Sequence, residues 1–193
     1  MEHILSIVLW TPLAGLVVLL LIPSSKPNAI RWWANIASFI GFLVCLPLAF
    51  YFDSGKDYQF VEKVDWIPSL GACYHLGIDG YSLLLVLLTG LLGFLSILSS
   101  WKVIEHRLKE YYANFLILQT AMLGVFMALD FLLFFVFWEL VLVPMYFIIA
   151  IWGSHRRVYA AFKFIIYTLL GSVVMFLGIL ALYFHHYSQF QVY

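Results

Sequence analysis

From Asn114 to Gly153 the chain is apolar almost without interruption, a block that would measure about 60 Å as a single helix. A bilayer's hydrocarbon core is only about 30 Å thick. The block must therefore turn back on itself, and Asp130 is the only charge near its middle. Aspartate caps helix N-termini well because its side chain accepts from the first free backbone N–H groups. Asp130 is thus expected to mark a tight hairpin and to start the second helix of the pair. A chain obliged to fold this way is a polytopic membrane protein.

The rest of the sequence agrees. Of 193 residues, 65% are hydrophobic and 10% charged, against roughly a quarter charged in a soluble domain. Mean hydropathy is +1.01. Hydropathy with charges as punctuation predicts an all-α bundle of six spans, at about 4–22, 31–52, 78–100, 112–129, 131–152 and 158–184. The N-terminal run lacks a basic n-region and is longer than a signal-peptide core, so it is expected to stay as the first helix. The whole chain, 1–193, reads as one transmembrane domain with a polar loop at 53–77.

Sidedness follows from the cations. Lys26, Arg31, Lys102, Arg107, Lys109, Arg156 and Arg157, with Lys163 close by, fall on one side, while the other holds only Lys56 and Lys63, eight against two. The positive-inside bias places the first set in the cytoplasm, in a bacterial inner membrane, with both chain ends and the 53–77 loop outside. Trp32, Trp33, Trp101, Tyr111, Tyr112 and Trp152 then fall at inner span ends, where amphipathic rings favour the headgroup level. Thr120, Gly124 and Ala128 form a small-residue face for close packing, and Gly171, Ser172 and Gly178 are assigned the same packing role.

Several classes are excluded. Formal net charge is zero, so no basic surplus points to nucleic acid. Cys45 and Cys73 form no CxxC and read as free thiols. His3, His75, His106, His155, His185 and His186 lie in loops or at chain and span ends without metal-ligand spacing. No phosphate loop or dinucleotide fingerprint occurs.

Two charges enter the apolar blocks, Glu139 and Lys163. Glu139 lies nine residues past Asp130 and thirteen before Trp152, near mid-membrane. A carboxylate there costs at least about 2.5–3.5 kcal/mol on insertion scales, which favours the protonated acid over the charged one. Such a group can carry a proton. Pro144, five residues on, lacks an N–H and frees the carbonyl of Leu140, so the segment WELVLVPMY reads as a kinked stretch that water can enter. Lys163 sits within snorkelling distance of the inner headgroups and reads equally as an anchor or as an inner-side cation of a proton path.

The runs LGIDGYSLLLVLLTGLLGFLSILSSW (76–101), ALDFLLFFVFWELVLVPMYFIIAIWG (128–153) and YAAFKFIIYTLLGS (159–172) resemble the M-subunit family of respiratory NADH:quinone oxidoreductase, complex I. The resemblance implies an antiporter-like membrane-arm subunit that translocates protons when quinone reduction elsewhere drives it. It implies neighbouring antiporter-like subunits and lipid as partners. NADH, FMN, iron–sulfur clusters and quinone would sit on other subunits, with no redox catalysis on this chain. Glu139 matches the family's mid-membrane glutamate, and Asp130, Pro144 and Lys163 match its hairpin, kink and helix-six lysine. The resemblance covers only the family's first six helices, so the helix-seven lysine that pairs with the glutamate has no counterpart here. A subunit of a multisubunit sodium/proton antiporter, and a truncated structural module of the membrane arm, are the alternative readings.

Overall fold

The computed structural model describes residues 3–53, 55 and 57–190. Lys56, one of the two lysines assigned to the outer side, lies outside the described residues. The helices are α1 (Ile4–Leu21), α2 (Pro27–Tyr51), α3 (Gly80–Ser99), α4 (Leu108–Met127), α5 (Phe131–Trp152) and α6 (Arg157–Phe190). Two helix starts are written locally. Asp79 and Ser82 form a reciprocal capping box on α3, and Asp130 accepts from Leu132 and Leu133 N–H at 2.9 and 3.0 Å on α5. Hydrogen bonding to Ser82 N–H holds the Asp79 carboxyl below the usual carboxylate range.

The 53–77 segment departs from the all-α, polar-loop expectation. It holds an antiparallel hairpin, β1 (Gln59–Ile67) and β2 (Ala72–Ile78), joined by a 3-10 turn at Pro68–Leu70. Its β-branched and aromatic residues, Val61, Val64, Trp66 and Ile67 among them, suit a pleated strand better than a loop. Gly77 lets the hairpin approach closely, since a Cβ there would lie 2.5 Å from the Leu129 side chain. Leu129 N–H donates to His75 carbonyl oxygen at 2.8 Å and Asp130 accepts from Cys73 N–H at 3.3 Å, pinning β2 to the α4–α5 turn. His75 is therefore a strand residue rather than a loop residue; burial, and then Lys63, push its pKa down.

Helix α4 is the centre of the bundle and packs against α1, α2, α3 and α5. Five helices are long and apolar enough to cross a membrane, α1, α2, α3, α5 and α6; α4 does not reach that apolarity. Its position accounts for this. Tyr112, Gln119 and Thr120 on α4 are buried against neighbouring helices, and a helix shielded from lipid tolerates polar side chains. Tyr112 accordingly leaves the predicted aromatic belt, being fully buried among Leu19, Ile30 and Ala34. Trp33 also turns inward, donating from Nε1 to Gly15 carbonyl oxygen at 2.8 Å. Trp32 and Trp101 meet edge-on at 5.1 Å.

The core has two apolar clusters. One gathers Leu5, Leu48, Val86, Met127 and Phe137 under the hairpin, and the other surrounds Tyr112 and Leu116. Gln119 lies between them along α4, its Oε1 accepting from Ser38 Oγ at 3.2 Å, with Gly41 and Gly93 making room for the amide. Gly124 packs against the ring of Phe137, so the small face of α4 is a packing surface. On α6 the packing expectation holds for Ser172, which is buried, but not for Gly171 and Gly178, around which the space is open. Helix α6 starts one residue earlier than expected and runs six residues past 184, about 51 Å in all, with α5 as its packing neighbour.

Candidate proton-carrying site

Helical periodicity divides α5 into two working faces. Leu133, Phe137, Leu140 and Pro144 recur at three- and four-residue steps, and the first three pack into the core beside α4. Phe135, Glu139, Leu142 and Tyr146 recur the same way on the opposite side. That side meets α6, where Phe135 stacks on Phe176 with centroids 4.7 Å apart and Tyr146 meets Phe162 edge-on at 6.1 Å. Glu139 is thus on the α6-facing side of α5.

Its depth follows from the helix. Glu139 is eight residues from Phe131 and thirteen from Trp152, about 12 Å and 20 Å along the axis. The residue is half-buried, and its Oε1 is buried without a hydrogen-bond partner among the described residues. An unmatched buried acceptor costs about 1–3 kcal/mol and persists where it is used or where water completes it. Protonation would turn the carboxylate's acceptor-only edge into a donor, which is the change a proton carrier makes.

Lys163 does not join this group. It is exposed, and no ion pair links it to Glu139 among the described residues. The two aromatic contacts set the α5–α6 register, and counting from each puts Glu139 level with residues 169–172 of α6. Lys163 then lies roughly 9–14 Å further toward the N-terminal end of α6. Pro144 is buried, and α5 runs unbroken through it as a helix from Phe131 to Trp152. Asp130 stands at the head of α5, about 13 Å from Glu139 along the axis, tied to the hairpin.

Two cations act on helix ends. Lys109 Nζ donates to Leu20 carbonyl oxygen at 2.7 Å, and Arg157 Nη1 to that of Ile151 at 2.8 Å, each meeting a helix C-terminus where positive charge is favoured. Cys45 and Cys73 are free, and no cluster of three potential metal ligands occurs among the described residues.

Two polar positions escaped the sequence reading. Glu62, in β1, is buried, and its Oε1 accepts from Leu5 N–H at 2.7 Å and Ser6 N–H at 3.2 Å; its Oε2 accepts from Ser6 Oγ. It caps α1 from across the chain, where the local N-cap residue His3 offers no side-chain bond. The uneven order of polar and apolar residues along β1 gave no signal for it. Gln119 was visible too, as a lone amide inside an apolar span.

Comparison with known proteins gives the same family from several sides. The pattern described as "NADH-ubiquinone oxidoreductase chain 4, amino terminus" matches residues 11–129. That described as "NADH:quinone oxidoreductase/Mrp antiporter, TM" matches residues 128–191. NADH-quinone oxidoreductase subunit M of Rhodobacter capsulatus is 47% identical over 189 residues, covering 95% of this chain and 36% of that protein. NADH-ubiquinone oxidoreductase chain 4 of Arabidopsis thaliana is 46% identical, covering 90% and 35%. The chain thus spans about a third of the length of these relatives. Among solved structures, respiratory complex I from Thermus thermophilus superposes with a TM-score of 0.78 at 26% identity, over 91% of this chain and 35% of the other. The Mrp complex from Dietzia sp. shares the fold, with a TM-score of 0.73 at 19% identity, over 88% and 18%. The hydropathy, the helical bundle and the matched blocks around Glu139 have one common source: the chain belongs to the NADH-ubiquinone oxidoreductase chain 4 family, and a protein named subunit M of NADH-quinone oxidoreductase is among its similar relatives.

Proposed function

We propose that this chain serves as a proton-translocating membrane-arm subunit of an NADH:quinone oxidoreductase, with Glu139 as its buried proton carrier. The single observation that carries the reading is the unpartnered, buried Oε1 of Glu139 on the α6-facing side of a membrane-crossing helix. Six spans complete this picture. The fourth, α4, crosses while wrapped by its neighbours, leaving both chain ends and the hairpin outside and the arginine- and lysine-rich turns in the cytoplasm of a bacterial inner membrane. Asp130 fixes the head of α5 to the outer hairpin, and Pro144 leaves the Leu140 carbonyl, one residue from Glu139, open to water. Lys163 serves as a cation on the inner half of the route rather than as a direct partner, given its distance from Glu139. NADH oxidation and quinone reduction, with their flavin and iron–sulfur centres, belong to other subunits, and neighbouring antiporter-like subunits of the membrane arm are the partners.

A second reading, a subunit of a multisubunit sodium/proton antiporter, is favoured by the pattern over residues 128–191, whose description covers both groups. Proton uptake into inverted membrane vesicles, recorded with a pH dye during NADH oxidation, tests the first reading. Glu139→Gln is expected to cut uptake while the complex still assembles. Proton release on adding sodium chloride to vesicles already acidified by respiration, lost in Glu139→Gln, would instead support the second.

A further inference from the structure

Glu139 Oε1 has no hydrogen-bond partner among the described residues, and the helix it faces carries hydroxyls near its level. Counting inward from the Phe135–Phe176 stack, and outward from the Tyr146–Phe162 contact, places residues 169–172 of α6 opposite Glu139. Within that window Ser172 is the polar residue, and it is almost fully covered, at 2% exposure, although most of α6 is open. Thr168 lies one turn further in, on the same face of the helix. Both hydroxyls donate to their own helix, Ser172 Oγ to Leu169 carbonyl oxygen at 3.1 Å and Thr168 Oγ1 to that of Phe164 at 2.7 Å. A hydroxyl used this way still has oxygen lone pairs free to accept.

We propose that Ser172 is the positioning residue for Glu139, with Thr168 as the next hydroxyl along α6. The inference rests on Glu139 being the proton carrier. When Glu139 is protonated its O–H donates to Ser172 Oγ, directly or through one water, while Ser172 keeps its bond to Leu169. When Glu139 is ionised the Ser172 hydroxyl rotates off Leu169 and donates to the carboxylate. The hydroxyl therefore satisfies both states of the acid by one rotation, which exchanges its bond to Leu169 for one to the carboxylate. That turns the small residue from a spacer into the group that orients the proton toward α6. No charged side chain of α4, α5 or α6 lies level with Glu139, the nearest on α6 being Lys163.

The test is infrared difference spectroscopy on the full chain in lipid nanodiscs, reading the carboxylic C=O stretch that appears on acidification. Loss of one band in Glu139→Gln assigns it. Ser172→Ala is expected to move that band to higher frequency, because a hydrogen bond to the acid is gone, and Ser172→Thr is expected to return it. An assigned band that stays in place in Ser172→Ala overturns the role of Ser172 and leaves Glu139 as carrier. If Glu139→Gln removes no band at any pH, both the role of Ser172 and the carrier reading fall.

Discussion

Removing the Glu62 carboxylate should loosen the whole hairpin-bearing end of the bundle, although Glu62 lies in a strand and not in a helix. Its two oxygens accept from Leu5 N–H, Ser6 N–H and Ser6 Oγ at the start of α1, and His3 Nδ1 approaches at 3.8 Å. In Glu62→Ala, α1 loses a capping acceptor, about 0.5–2 kcal/mol. It also loses a partly buried negative charge at the positive end of the helix dipole, up to about 2 kcal/mol. The two together suggest about 3 kcal/mol, which for a chain of this size lowers Tm by about 6–12 °C. Glu62→Gln keeps an acceptor and loses the charge, so it should cost about 1 kcal/mol, or about 2–4 °C. Tryptophan fluorescence during thermal unfolding in nanodiscs reads this well, because Trp10 Nε1 bonds to Tyr74 OH in the same cluster, at 3.3 Å. Equal melting of wild type and Glu62→Ala would refute the cross-chain cap.

Gly124→Val drives a side chain into the Phe137 ring, where even a Cβ would sit 2.4 Å away. It should destabilise the α4–α5 pair by about 1–3 kcal/mol, with partial rescue by Phe137→Ala in the same chain, read by thermal unfolding. Asp130→Ala removes the acceptor for Leu132, Leu133 and Cys73 N–H. It should cost about 0.5–2 kcal/mol and speed labelling of the Cys73 thiol in a maleimide time course. The Asp79 carboxyl is held low by Ser82, so its cap is fully present above the ordinary carboxylate pKa and is lost as pH falls through the depressed value. Acid titration of Tm should flatten on that limb in Asp79→Asn.

Long apolar runs made the helices legible, and Asp130 made the α4–α5 turn legible, because crossing a bilayer leaves little choice of backbone. The family membership was legible for a related reason, since the block around Glu139 and Pro144 is distinctive even without coordinates. What the sequence reading missed depends on neighbours. Tyr112 looked like a belt aromatic because a one-dimensional count shows how close it lies to a span end, not that α1 and α2 enclose it. Gln119 lowers the apolarity of α4, which makes sense only once four other helices surround that helix. The hairpin was obscured by its charges, Glu62, Lys63 and Asp65, which suggest a solvated loop until the β-branched and aromatic residues between them are weighed. Helix-to-helix register, which separates Glu139 from Lys163 and brings Ser172 opposite it, is a property of packed aromatic pairs and has no trace in either helix alone.

The central claim is that Glu139 carries the pumped proton, and the ratio of protons moved per electron passed tests it most directly. In vesicles containing the assembled complex, Glu139→Asp keeps a carboxyl at the site and should retain most of the ratio, while Glu139→Gln should lower it at unchanged subunit content. A Glu139→Gln complex that assembles normally and pumps at the wild-type ratio would contradict the account.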